Sequence, residues 1–169
     1  MNIRQEQPSD HDTVYQIVKL AFESAEHRDG NEQDVVVALR NSKAFVPELS
    51  LVALCDGHVV GHILFTEVKV CEKTALALAP LSVLPAYQHQ GIGLSLMAEG
   101  HKIARELGYE YSIVLGDPCY YPKAGYRSAD LFGIVAPFEV PSDAFMAIKL
   151  KPTAEPIQGI VEYDPAFGM

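Results

Sequence analysis

The residues Gln88-His89-Gln90-Gly91-Ile92-Gly93 set two glycines, separated by a single residue, between a long apolar run and an amphipathic stretch. Glycines at that spacing let the backbone turn tightly with its N–H groups inward, and a helix starting there adds the positive end of its macrodipole. Phosphate suits such a spot. The same turn can also serve only to bring a helix close to a strand, and local chemistry leaves both readings open. There is no third glycine where a dinucleotide fingerprint needs one, and no Gly-Lys-Ser/Thr for a nucleoside triphosphate loop. Further along, Tyr120 and Tyr121 offer phenols, with Cys119 just before them and Asp117 nearby; upstream, Glu67 sits in a strand-like run. Cys119 has no readable basic partner and is expected to be an inert thiol. His62 and His89 each stand alone, which more often marks a structural histidine than a catalytic one. No cluster of histidine, cysteine and carboxylate suggests a metal.

These residues need elements to hold them. Thr74 to Leu84 is almost wholly apolar and reads as a buried strand. Pro80 within it cannot donate to a ladder, so the strand must bulge, splay or lie on an edge there. After Gly91, the residues Gly93, Leu96, Met97, Gly100, Ile103, Ala104 and Leu107 share one face of a helix that Leu107-Gly108 ends. Upstream, Asn2 to Gln5 is a short strand, and Ser9 with Asp12 is expected to cap a helix burying Val14, Ile17, Val18, Ala21 and Phe22. A second helix over Asn31 to Asn41 should bury Val35, Ala38 and Leu39. Leu49 to Cys55 and Val59 to Val70 form a hairpin through Asp56-Gly57, and Glu72-Lys73 turns the chain into the next strand. Downstream, Tyr111 to Leu115 and Ala144 to Leu150 are strands, with Gly125 reversing the chain between them and a last strand over Gly159 to Tyr163.

Composition sets the bounds. The chain has 169 residues, 49% hydrophobic and 21% charged, enough for one domain over 1–169, with a core in 1–150 and an extension over 151–169. No apolar run is long enough for a membrane span and the first residues lack a signal-peptide core, so a cytoplasmic protein with no membrane partner is expected. Cys55, Cys71 and Cys119 should be free thiols. A formal net charge of -9 argues against nucleic acid as a partner.

Gln88-His89-Gln90-Gly91-Ile92-Gly93 matches the Gln/Arg-x-x-Gly-x-Gly/Ala loop of the GNAT N-acetyltransferase superfamily, and Leu81-Ser82-Val83-Leu84-Pro85 resembles the strand that leads into it. Tyr121-Pro122-Lys123-Ala124-Gly125-Tyr126 resembles that family's Tyr-x-x-x-Gly-Phe/Tyr signature, in the expected order. The end of the chain, Val161 to Phe167, resembles a bacterial subgroup of such proteins. The resemblance implies an α/β (α+β) fold: a mixed central sheet splayed at the cofactor strand, with flanking helices. It implies acetyl-CoA as co-substrate, without a metal, and a small-molecule or peptide amine as acceptor. Homodimers are frequent among such proteins.

Residue by residue, Leu81, Ser82 and Val83 would offer N–H and C=O groups to the pantetheine arm, one N–H polarising the thioester carbonyl. Gln88, His89, Gln90, Gly91, Ile92 and Gly93, with Ser95 in the first helical turn, would hold the pyrophosphate. Lys123 either neutralises a cofactor phosphate or faces water. Tyr121 would protonate the leaving thiolate, since a phenol of pKa about 10 is well matched to a thiol of about 8.5; Tyr120 is its rival. Glu67 is the first choice for the base that takes the amine proton and Asp117 the second. The resemblance also puts the loop carrying His27 and Arg28 at the acceptor site. A non-catalytic acyl-CoA sensor is the alternative function.

Overall fold

The computed structural model describes residues 1–23 and 30–168, so the expectation for His27 and Arg28 lies outside the described residues. Four leading strands run as a meander: β1 (Asn2–Gln5), β2 (Phe45–Cys55), β3 (His58–Val70) and β4 (Lys73–Val83). Helices α1 (His11–Glu23) and α2 (Glu32–Arg40) lie between β1 and β2, and α3 (Ile92–Leu107) follows β4. Then come β5 (Tyr111–Leu115), β6 (Arg127–Ser128), β7 (Ile134–Val135), β8 (Phe145–Lys149) and β9 (Gly159–Glu162). The sheet order is β1-β2-β3-β4-β5-β8-β6, with β9 beside β3 and β7. Pairing of β4 with β5 is parallel, the rest of that path antiparallel, so the sheet is mixed.

Alternation along the strands sorts the core onto two faces. Leu51, Ile63, Phe65, Leu76 and Leu78 face α3, which meets them with Leu96, Met97 and Ala104. On the other face Val52 and Leu64 meet Val14, Val18, Val36 and Leu39 of α1 and α2. Each such fully buried aliphatic side chain contributes about 1.5–3 kcal/mol. Helix α3 approaches closely because Gly100 has no side chain; a Cβ there would stand 2.3 Å from Phe65 Cε2.

Several expectations shift. The residues Pro8–Asp10 form a 3-10 turn, and the cap is Asp10 rather than Ser9 with Asp12: its carboxylate accepts from Gln7 N–H at 2.8 Å and from the Arg4 fork at 2.7 and 3.0 Å. In α2 the buried residues are Gln33, Val36 and Leu39, because the helix turns Val35 partly and Ala38 fully outward. On α3, Leu107 is exposed at the end of the helix while His101 is buried. Strand β8 buries Phe145, Met146 and Ala147 in succession, since both its faces are covered. The tail from residue 151 is tied into the core through Ala154, Ile157 and Val161.

Candidate active site

Strands β4 and β5 pair only at Leu76 with Ser112 and Ala77 with Ile113. Beyond Ala77 they part, and the wedge between them opens toward the C-terminal ends of both strands. Pro80 explains the position. Opposite Leu64 of β3 the register slips by one residue, so that Phe65 faces Leu78 while Ile63 faces Leu81, a bulge over Ala79 and Pro80. The register break with β3 and the parting from β5 therefore fall in the same stretch of β4.

The register also decides which peptide groups face the wedge. Leu84 N–H donates to Val60 C=O at 2.9 Å. Alternation along an antiparallel ladder then turns the main chain of Ser82 toward His62 on β3, and that of Leu81 and Val83 away from it. Gln88 Nε2 donates to the outward Val83 C=O at 3.0 Å, so this loop side chain holds the end of the strand. The Ser82 side chain projects on the α1 face.

At the wedge's mouth Gly91 precedes α3 with φ 86°, a left-handed conformation that a side chain would strain. No side chain caps α3, no acidic residue lies in its first turn, and the first closing bond runs from Ser95 N–H to Gly91 C=O at 3.0 Å. The N–H groups of Ile92, Gly93 and Leu94 thus stand at the positive end of the macrodipole. His89 (φ 62°) and Gln90 are exposed, and Gln90 Nε2 contacts Ala86 C=O at 3.4 Å.

The two tyrosines are separated by their neighbours. A Cβ on Gly93 would lie 2.2 Å from Tyr120 Oη and 3.5 Å from Leu81 Cδ2, so the Tyr120 phenol fits between β4 and the first turn of α3. Tyr121 covers Gly116 at the end of β5, where a Cβ would lie 2.3 Å from its Cε2, and meets Tyr120 and Tyr126 edge to face at 5.2 and 5.9 Å. Burial, then the nearby Tyr120 and Asp117, push the Tyr121 pKa upward; burial alone does so for Tyr120. Both phenols stay protonated and can act as donors. Tyr126, in the position where the motif allows Phe or Tyr, uses its hydroxyl: Ser112 Oγ lies at 2.8 Å and His101 Nε2 at 3.0 Å.

The carboxylates divide. Asp117 is exposed just past β5, with its carboxylate accepting from Cys119 N–H at 2.7 Å. Glu67 lies on β3 at the level where β4 and β5 last pair. It faces Leu76, four residues along β3 from the Ile63–Leu81 pair, about 13 Å away at 3.3 Å per residue. There it accepts from Tyr109, just beyond the far end of α3. Lys123 and Cys119 are exposed.

Sequence reasoning passed over a buried polar group behind β4. The Glu6 side chain is 2% exposed and pairs with Arg40 at 2.8 Å. Ser50 Oγ donates to Glu6 Oε1 at 2.9 Å and lies 3.0 Å from His62 Nε2. Burial pushes the His62 pKa down to about 4, against the pull of Glu6. His62 had a signal, being the polar residue within the apolar run from Val59 to Phe65; its partners Glu6 and Ser50 did not.

Residues 11–122 match the acetyltransferase (GNAT) family. The chain is 31% identical over 171 residues to the uncharacterized N-acetyltransferase YhbS of Escherichia coli strain K12, a match covering 99% of this chain and 98% of that protein. It is 37% identical over 117 residues to the uncharacterized N-acetyltransferase YjhQ of the same strain, covering 66% of this chain and 65% of the relative. The crystal structure of Escherichia coli YhbS in complex with CoA superposes with a TM-score of 0.90 at 30% identity, covering 99% of this chain and 92% of that one. A GNAT family acetyltransferase from Brucella melitensis in complex with acetyl-CoA gives 0.81 at 34% identity, covering 98% and 97%. The chain belongs to the acetyltransferase (GNAT) family and is an acyltransferase of the N-acetyltransferase type.

Proposed function

We propose that this protein transfers acetyl from acetyl-CoA to a primary amine, on a small molecule or peptide, by direct attack in a ternary complex. The observation that carries the reading is the parting of β4 from β5 beside a bare α3 N-terminus. The residues present suit acetyl-CoA. Leu81 and Val83 present outward main-chain groups along the wedge, as an extended amide-bearing arm requires. The N–H groups of Ile92 to Leu94 meet no carboxylate among the described residues and suit a pyrophosphate. The YhbS and Brucella structures, which hold CoA and acetyl-CoA, have the same fold.

When bound, acetyl-CoA supplies an activated thioester. Leu81 N–H polarises its carbonyl as an oxyanion donor. Tyr121, kept protonated by burial, donates to the departing sulfur. The wedge and the α3 start hold the acyl donor in place, so that positioning supplies much of the acceleration. Cys119 is given no part, because no basic group among the described residues is bonded to it.

Release of free thiol from acetyl-CoA, measured across a panel of amines with a no-acceptor control, tests this reading. Turnover with one amine class supports it; acetyl-CoA binding with no turnover on any amine favours a sensor. Tyr121→Phe is expected to lower kcat by about 10²-fold or more, and Tyr120→Phe by much less. Cys119→Ala should retain kcat within about tenfold, whereas a thousandfold loss would point to an acyl-enzyme.

A further inference from the structure

The two faces of the wedge differ in what closes them. On the α3 face Tyr120 and Tyr121 pack into the α3 cluster, Tyr120 against Gly93 in the first turn of the helix and Tyr121 over Gly116. On the opposite face the β4 side is covered, with Ser82 buried and α1 packed against that strand. The β5 side is open. Leu115, the last residue of β5, is 46% exposed. It pairs with Phe145 of β8 and projects with it on the face away from α3. A single exposed leucine is ordinary, but this one stands on the lip of the wedge with aromatic rings behind it.

Its level along the wedge matters. Strands β4 and β5 last pair at Ala77 and Ile113, so Leu115 stands two residues, about 7 Å, from the closed end. The α3 N-terminus lies at the open end, and a donor whose phosphates sit there carries its thioester toward the closed end. Behind Leu115, Phe145 meets Phe138 edge to face at 6.4 Å, and Phe138 stacks on Tyr163 at 6.1 Å. Phe145 is buried while Phe138 and Tyr163 are half-buried, so the apolar strip continues outward from the wedge. Its charged surroundings have one sign: Asp117, Glu139 and Asp143 are exposed, and residues 115–119 and 134–145 contain no lysine or arginine. An apolar strip with an acidic rim fits a cation with an apolar body and repels a carboxylate.

We propose that the acceptor is a primary amine with an apolar, ring-bearing body, which lies against Leu115 and Phe138 on the face opposite α3 and brings its nitrogen to the acyl carbon from that side. The proposal rests on the acetyl-transfer reading above and names the acceptor class for it. The nitrogen bonds to the thioester carbon as the carbon–sulfur bond breaks. It gives up one proton to water, the sulfur takes the Tyr121 proton, and Tyr121 regains one from water. Leu115 selects the acceptor and touches no reacting atom. A polyamine or an amino sugar would leave the strip unfilled, and a free amino acid would bring its carboxylate to the acidic rim.

Thiol release from acetyl-CoA with four probes decides it: phenethylamine, ethylamine, spermidine and phenylalanine. Phenethylamine should exceed ethylamine in kcat/KM by about 10- to 100-fold, as burial of a ring predicts, and should also exceed spermidine and phenylalanine. Leu115→Ser should raise KM for phenethylamine about tenfold while KM for acetyl-CoA stays within about twofold, and Leu115→Met should keep both near wild type. Because Leu115 is exposed, both variants should keep the wild-type Tm, which separates loss of acceptor binding from loss of fold. Equal kcat/KM for ethylamine and phenethylamine, or a preference for spermidine or phenylalanine, overturns the acceptor class while leaving acetyl transfer standing. A rise in KM for acetyl-CoA with Leu115→Ser, in place of that for the amine, overturns it too, by putting Leu115 on the path of the donor. A wild type silent on these probes and on every amine of the panel defeats the acetyl-transfer reading and the inference with it.

Discussion

His62 and His101 are both buried, both in the central layers and both pushed by burial to a pKa of about 4, yet their surroundings differ. On the α3 face, His101 Nε2 meets the Tyr126 hydroxyl, which also meets Ser112 within a tight aromatic setting completed by Phe65. On the α1 face, His62 is backed by Ser50 and the Glu6 carboxylate, and its Nδ1 has no hydrogen-bond partner among the described residues. A buried histidine whose bonds end on neutral hydroxyls locks elements together. One in series with a carboxylate has a counter-ion at hand for its charged form, which burial here outweighs.

Glu6→Ala should break this contrast most strongly. It leaves Arg40, only 13% exposed at its side chain, without its counter-ion and Ser50 without its acceptor, at a cost of about 3–5 kcal/mol in urea unfolding. An unchanged midpoint would show that the pair is hydrated and contributes little.

Acid should act on both histidines alike. In the unfolded chain each titrates near 6.5, in the folded protein near 4. Between these values the unfolded state binds more protons, so the stability is complete above about pH 6.5 and falls as pH drops toward 4. Each histidine contributes a slope of roughly 1 kcal/mol per pH unit, about 3 kcal/mol over the window. His101→Phe should remove its own share of the slope and leave that of His62. A variant with an unaltered slope would show that His101 is already charged in the fold.

The smallest effect is expected at Tyr126→Phe, which keeps the ring and strands His101 Nε2 and Ser112 Oγ. A loss of about 1–3 kcal/mol at neutral pH, with kcat unchanged on folded protein, would mark the α3-face group as purely structural. A large fall in kcat at full stability would move Tyr126 into the site.

Much of the architecture was legible in sequence, where short-range physics decides. Asp56-Gly57 turned the hairpin, Tyr111–Leu115 has the expected bounds, and Gly91 takes the left-handed turn that starts α3. The cap on the first helix was misplaced because three acidic and hydroxyl residues compete there, and Arg4, from β1, selects Asp10. His101 escaped notice since its partner lies 25 residues further on.

What the residues determined alone was therefore the family, the loop and the fact that β4 had to break step at Pro80, since a missing N–H and a φ-permissive glycine act locally whatever surrounds them. The direction of that break was tertiary. Only the pairing of β4 with both neighbours shows that its register with β3 shifts by one residue where it parts from β5, turning the main chain of Leu81 and Val83 to the wedge and that of Ser82 to β3. The same register carries Glu67 to the far end of α3 and brings Glu6 to Ser50 across 44 residues of chain. Hydrogen-bond partners and burial depend on which faces meet, and no local pattern encodes that meeting.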